Sequence, residues 1–234
     1  VQRLQEADVI YYDRLLDPEI LELARRDAER IYVGKAPGCH SWPQEKITQT
    51  LVSAAKRGQR VVRLKCGDPG IFGRSTEEVA ALADAGIPYE VVPGVTAACA
   101  AAAATGQSLT ERGKIDTVVL TTGHQQTGYV VPEAVRDLKP GTCVALYMAV
   151  GAGPEISRSL GQSHPDAPLA VQIVAKAQRK GQAVATCKVH QLAQTLEAHK
   201  ITGAAMLFIR WPTPDPAKFA MQDVPSQTRL LQVQ

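Results

Sequence analysis

Short apolar runs recur along the chain at VIYYD (9–13), RIYVG (30–34), RVVRLK (60–65), YEVVPG (89–94), TVVLTTG (117–123), TCVALYMAV (142–150), LAVQIVAKA (169–177), QAVATC (182–187) and AMLFIRW (205–211). Between most of them lie stretches with helical spacing: DPEILELARRDAE, PQEKITQTLVSAAKRG, STEEVAALADAG, VTAACAAAAATG, GPEISRSLGQ and VHQLAQTLEAH. Strand and helix in alternation leave few options. Each helix must carry the chain back over a sheet, so the pattern predicts an α/β protein with a largely parallel sheet. The last three strands have less helix between them and read as partly antiparallel. Together with the change of character near ERGKID (111–116), this predicts two α/β domains, residues 1–113 and 114–234.

Local signals place the helix starts. Ser75-Thr-Glu-Glu78 reads as a capping box, with Glu78 reaching back toward the residue before the helix. Pro18 and Pro43 sit near first turns, where a missing N–H costs nothing. At the front, VQRLQEAD reads as the last turns of a helix leading into VIYYD. A domain that opens on the tail of a helix is expected to lack the strand and strand-to-helix loop that such a helix follows.

Composition narrows the function classes. The 234 residues suffice for a sizeable core. No stretch approaches the roughly 20 apolar residues that cross a bilayer, and the start carries no signal-peptide pattern. The expected setting is cytoplasmic, with no membrane partner. A net charge of +3 argues against a broad nucleic-acid surface, though not against a basic pocket for an acidic small molecule. The five cysteines are scattered and form no CxxC pair, so neither a disulfide framework nor a metal site is expected, and mostly buried thiols are.

In open α/β sheets ligands bind at the carboxyl ends of the strands. There stand Asp13, then Gly34-Lys35, Cys66-Gly67-Asp68-Pro69-Gly70, Pro93-Gly94-Val95-Thr96, Thr121-Thr122-Gly123-His124 and Tyr147-Met148. Each has a structural alternative. Asp13 can cap a turn, Lys35 can be a solvated loop lysine, His40 and His124 can be satisfied loop histidines, and Met148 can be core. Their coincidence at successive strand ends argues for a site. The glycines let backbone groups approach a ligand without a Cβ in the way. No GxGxxG fingerprint and no GxxxxGK[ST] loop is present. A nucleoside cofactor without a phosphate chain, held by backbone contacts, fits better.

The segments YDRL (12–15), VGK…HSWPQE (33–45), VVRLKCGDPGIFGR…EE (61–78), AGIPYEVVPGVTAA (85–98), SLTERG (108–113), TTGH (121–124) and YM (147–148) resemble, in order and spacing, the uroporphyrinogen-III C-methyltransferases of the tetrapyrrole methylase family. They are most similar to the methyltransferase half of siroheme synthases. The resemblance covers nearly the whole chain. It implies the tetrapyrrole methylase fold, two α/β domains with the active site in the cleft between them, acting as a homodimer. It implies S-adenosyl-L-methionine as cofactor and S-adenosyl-L-homocysteine as product. The implied reaction methylates uroporphyrinogen III at C-2 and C-7, giving precorrin-2 on the way to siroheme and cobalamin.

Residue by residue, the resemblance implies cofactor contacts from Cys66, Gly67, Asp68 and Ile71, from Thr96 and Ala97, from Met148, and from the backbone of Ala177. It assigns Asp13 as proton acceptor and Lys35 as proton donor. Lys35, Arg74 and Arg112 are candidate partners for the substrate carboxylates. This chain departs from the family pattern at Cys66 (usually Gly), at Gly70 (usually Phe), at Ala36 (usually Arg) and at Glu111 (usually His). The family's opening strand and GxGPGDPELLT loop are absent from the sequence. Two other readings stay open: a methylase of another precorrin or of a non-tetrapyrrole substrate, and a non-catalytic module for cofactor binding or dimerisation.

Overall fold

The alternation along Val9–Tyr12 (β1) shows how the front of the chain organises itself. Val9 and Tyr11 point to one side of the strand and Ile10 to the other, and all three are buried. Each side nucleates its own core. Ile10 packs with Leu4, Ala7, Leu21, Ala24 and Ala28. Val9 and Tyr11 pack with Val33, Ile47, Leu51 and Ala54. A strand buried on both faces belongs in a parallel sheet with helices above and below, and β1 does pair in parallel with Glu29–Tyr32 (β2) on one side and Val61–Leu64 (β3) on the other.

The computed structural model describes residues 1–34 and 42–214. Lys35, Ala36, Cys39 and His40 therefore lie outside the described residues. The chain divides into two compact units, Val1–Thr96 and Ala97–Gln234. The division falls ahead of the 111–116 segment read from the sequence as the joint.

The first unit carries the helices Gln2–Glu6 (α1), Pro18–Leu21 (α2), Gln44–Lys56 (α3) and Ser75–Asp84 (α4) around its three-stranded sheet. Helix α2 begins on Asp17, whose side chain accepts from the Glu19 amide, with Pro18 in the first turn. It is shorter than DPEILELARRDAE suggested. Beyond Leu21 the bonds tighten to Leu23 N–Ile20 O and Ala24 N–Leu21 O, which tuck Ala24 into the core rather than extend the helix.

Two further expectations need correction. YEVVPG (89–94) forms no strand among the described residues, and Tyr89, Val91, Val92 and nearby Val95 are exposed. β-Branched residues favour strands only where an adjacent edge and a packed face receive them. The capping box at Ser75 is also absent. Arg74, in the left-handed region, precedes the helix, and Ser75 Oγ donates instead to the Pro69 carbonyl at 2.7 Å. Glu78 turns inward and is only 3% exposed.

The second unit holds Ala97–Thr105 (α5), Thr117–Thr122 (β4), a small hairpin of His124–Gln125 (β5) and Gly128–Tyr129 (β6), Glu133–Arg136 (α6), Thr142–Tyr147 (β7), Gly153–Ser163 (α7), Ala170–Ala175 (β8), Ala183–Lys188 (β9), Leu192–Ala198 (α8) and Ala205–Trp211 (β10). Its five-stranded sheet runs β4-β7-β10-β8-β9. β4 and β7 are parallel, whereas β10 is antiparallel to both β7 and β8, and β8 to β9. The short connection from β8 to β9 makes an antiparallel pair, and β10, arriving after α8, inserts between β7 and β8 antiparallel to both. All of β7 is buried, and Leu146, Ile173, Leu207 and Ile209 join Ile156, Leu160 and Leu192 in one continuous core. No helix among the described residues is long and apolar enough to cross a membrane.

Candidate active site

Asp13 follows β1 directly, at its carboxyl end, and Arg63 of the neighbouring strand meets it there. Arg63 Nη2 lies 2.7 and 2.8 Å from the two oxygens of Asp13. The guanidinium continues inward. Nε bonds Glu78 Oε1 at 3.2 Å, and Nη1 donates to the carbonyls of Tyr11 and Leu64. Glu78 in turn holds Lys65 Nζ at 2.9 Å and accepts from Gln44 Nε2 at 3.0 Å. Lys65 also donates to the Gly73 carbonyl at 2.6 Å. Burial lowers the Lys65 ammonium below its ordinary proton affinity, against the opposing pull of Glu78.

Only Asp13 of this ionic chain was expected to matter from the sequence. Arg63, Lys65 and Glu78 were missed as a group. A signal was there: Arg63 and Lys65 stand two apart on a strand flanked by apolar residues. Basic side chains repeating at the strand period inside an α/β sheet require a buried counter-ion, and α4, the next helix, supplies it.

The loop after β3 is tied down by Asp68. Its Oδ1 accepts from the Gly70 amide at 2.8 Å and its Oδ2 from the Gly94 amide at 2.9 Å. The carboxylate staples the 66–70 loop to the 89–94 segment. Gly94 lies so close that an added Cβ would stand 2.2 Å from the Gly67 carbonyl oxygen. Gly67, Phe72 and Arg74 all have positive φ, a dense run of left-handed residues in one short loop. What this loop presents outward is backbone, with exposed Cys66 and Phe72 and half-buried Ile71. Arg74 pairs through Nε and Nη2 with Glu77.

Gly34 is the last described residue before Lys35. A Cβ there would stand 2.6 Å from the Arg14 backbone nitrogen, so Gly34 lies against the loop that carries Asp13.

In the second unit the Tyr147 hydroxyl accepts from the Ala98 amide at 3.3 Å. This bond joins the first turn of α5 to the end of β7. Met148 has φ 51° and is 52% exposed. A long side chain in the left-handed region at a strand end is strained, and such strain collects at functional positions. Ala177 follows β8 between Lys176 and Gln178, both with positive φ. That turn is held by the Gln178 amide donating to Gln182 Oε1 at 2.7 Å.

Thr96 is the last residue of the first unit and Ala97 the first of the second. The first unit thus assembles Asp13 with Arg63, and Cys66, Gly67 and Asp68 with the 89–94 segment. The second ties Ala98, next to Ala97, to the side chain of Tyr147, next to Met148. His124 stacks edge-on with Tyr129 at 5.2 Å in the small hairpin. Of the described cysteines, Cys143 is buried and Cys187 half-buried, and burial raises both thiols. Cys66 and Cys99 are exposed, against the expectation of mostly buried thiols. Among the described residues no cluster of His, Cys, Asp and Glu is placed to hold a metal.

Known proteins share this arrangement. Residues 1–193 match the family described as tetrapyrrole (corrin/porphyrin) methylases. A siroheme synthase of Hydrogenovibrio crunogenus is 44% identical over 209 residues, spanning 88% of this chain and 44% of the relative. One of Chromobacterium violaceum is 41% identical over 206 residues, with the same two shares. The chain thus spans less than half the length of these curated relatives. Among solved structures, a uroporphyrin-III C-methyltransferase of Thermus thermophilus, complexed with S-adenyl homocysteine, superposes with a TM-score of 0.72. It is 31% identical and the match covers 89% of this chain and 88% of that one. A cobalt precorrin-4 methyltransferase superposes with a TM-score of 0.78 at 28% identity, over 90% of this chain and 86% of that one. A family match running from the first residue through β9, on a fold whose strand ends carry Asp13, the 66–70 loop and Met148, makes the chain a member of the tetrapyrrole methylases.

Proposed function

We propose that this protein transfers methyl groups from S-adenosyl-L-methionine to uroporphyrinogen III, at C-2 and then C-7, giving precorrin-2. The observation that carries the reading is the likeness, across nearly the whole of both chains, to the uroporphyrin-III C-methyltransferase complexed with S-adenyl homocysteine. The strand-end groups support it.

The residues present suit such a methyl donor. Asp68 uses its carboxylate internally, so the 66–70 loop offers backbone groups, and Ile71 and Met148 offer apolar contact. No lysine-bearing phosphate loop stands there, which fits a nucleoside without a phosphate chain. In this reading Cys66, Gly67, Asp68, Ile71, Thr96, Ala97, Met148 and Ala177 hold the donor. When bound, the donor supplies an electrophilic methyl on a sulfonium sulfur.

The chain's own part is positioning and proton management. A pyrrole-type carbon is a weak nucleophile, so methylation gains from alignment and from a base that removes the ring proton. Asp13 is that base. The incoming methyl leaves a positive charge on the ring system; the methylated tetrapyrrole then loses a proton to an Asp13 carboxylate oxygen, and the electron pair left behind neutralises that charge. Lys35, outside the described residues, is the proton donor in the same reading and pairs with a substrate carboxylate. Arg74 is spoken for by Glu77 in this structure, and engages the substrate only by exchanging that partner. The active form in this reading is a homodimer.

The test is incubation of the protein with uroporphyrinogen III and isotope-labelled methyl donor, followed by mass analysis. Successive products carrying one and two labelled methyl groups are expected. Absence of label on the tetrapyrrole, with label appearing instead on a different precorrin, would move the protein elsewhere in its family.

A further inference from the structure

All three nitrogens of Arg63 are held by this chain's own groups. A guanidinium has five N–H donors; here Nε donates to Glu78, Nη1 to the Tyr11 and Leu64 carbonyls, and Nη2 to the Asp13 carboxylate, whose two oxygens share it. The Arg63 side chain is 12% exposed while that of Asp13 is 31% exposed, so the cation lies behind the carboxylate.

The counter-charges continue inward. Glu78, 4% exposed, lies between Arg63 and Lys65, which is 8% exposed. The four groups alternate in sign and sum to zero. Buried ion networks of this kind contribute little to stability compared with apolar packing, so stability alone is a poor reason for placing one at a strand end. Charge-assisted hydrogen bonds from a rigid fork do fix the orientation of a carboxylate.

We propose that Arg63, anchored by Glu78 and Lys65, is the positioning residue that holds Asp13 in the orientation its proton transfer requires. This rests on the assignment of Asp13 as the base. Both Asp13 oxygens are held by one nitrogen, Arg63 Nη2, which leaves each with a further lone pair for an incoming proton. The adjacent cation fixes the direction in which the Asp13 carboxylate points. Arg63 touches neither reactant. It acts through Asp13.

The experiment combines turnover with a readout that needs no substrate. In the methylation assay, Asp13→Asn is expected to lose about 10²- to 10⁴-fold in kcat. Arg63→Met is expected to lose at least about tenfold in kcat, with the KM for the methyl donor little changed, because misplacing a catalytic group costs rate rather than donor affinity. The double variant is expected to be no worse than Asp13→Asn alone. Multiplying losses would overturn the proposal, since a purely structural Arg63 would damage the enzyme whether or not Asp13 is present.

Independently, the Asp13 carboxyl is followed by carbon NMR in ¹³C-aspartate-labelled protein. Arg63 is the cation against it, with Lys65 and Glu78 behind. At fixed pH, Arg63→Met is expected to move the Asp13 carboxyl resonance, because the bonds to both oxygens are lost, and an unchanged resonance would overturn the proposal. Arg63→Lys keeps a cation but cannot span Asp13, Glu78 and two carbonyls. It should fall between wild type and Arg63→Met in both readouts, and it serves if Arg63→Met does not fold. If the wild type fails to methylate uroporphyrinogen III, the functional assignment falls while the NMR comparison still decides whether Arg63 holds Asp13.

Discussion

Lys65 and Met148 show how single residues carry cost in this fold. Lys65 is nearly buried, and desolvation sets its proton affinity below the ordinary lysine value of 10.5. The unfolded chain therefore binds this proton more tightly than the folded one between the lowered value and 10.5. Wherever the unfolded state holds more protons, stability rises with pH. In denaturant melts the stability of wild type relative to Lys65→Met is thus expected to improve as pH climbs through that window toward 10.5. A constant difference would mean that Lys65 titrates as it does in water. Met148 makes a different case. Its left-handed backbone costs about 1–2 kcal/mol, a strain that Met148→Gly relieves while losing little burial, because the side chain is half exposed. The melting temperature should hold or rise slightly. If the side chain contacts the methyl donor, calorimetry with S-adenosyl-L-homocysteine should show weaker binding. Unchanged affinity would reduce Met148 to a backbone contact.

At the scale of elements, the 66–70 loop and the 89–94 segment behave as one piece because Asp68 bonds amides in both. Gly94→Ala places a methyl 2.2 Å from the Gly67 carbonyl oxygen and 3.3 Å from the Asp68 Cα, and backbone atoms cannot swing aside. The cost is expected to be about 1–3 kcal/mol, as for other overpacked sites. Affinity for S-adenosyl-L-homocysteine should fall as well, because residues 66–68 are the ones displaced. Wild-type stability and affinity together would show that the staple is not needed.

The same elements show what a sequence discloses. The strands β7, β8 and β10 were legible because each is a long apolar run that ends up largely buried. Asp13 and the 66–70 loop were legible by position, since strand ends are where such folds place ligands. The YEVV segment was misread because its β-branched residues advertise a strand whether or not a partner edge receives them. Glu78 was misread because a local rule, the capping box, accounted for it completely, while its real partners are 13 and 15 residues away along the chain. Long-range ion pairs leave no periodic trace.

For the molecule as a whole, the two units differ in how firmly each is held, and this has a measurable consequence. In the second unit a single core joins the buried residues of β7, β8 and β10 to α7 and α8. Their amides should open only with the whole unit. In the first unit β1 alone is buried on both faces. β3 is half-buried along its length and lies at the edge of its sheet, and 89–95 is exposed and outside any strand. Local opening is governed by buried contacts and by how much backbone bonding faces solvent. Amide exchange followed by mass spectrometry is therefore expected to run slowest in β7, β8 and β10, and distinctly faster in β3 and residues 89–95. A ligand that binds only the folded state stabilises the segments it touches. Saturating S-adenosyl-L-homocysteine should slow exchange at residues 66–71, leaving β9 as it was. Slowing confined to segments without any of the proposed donor contacts would remove the 66–71 loop from the binding site. Uniform slowing across both units would instead show that donor binding is coupled to the stability of the whole chain.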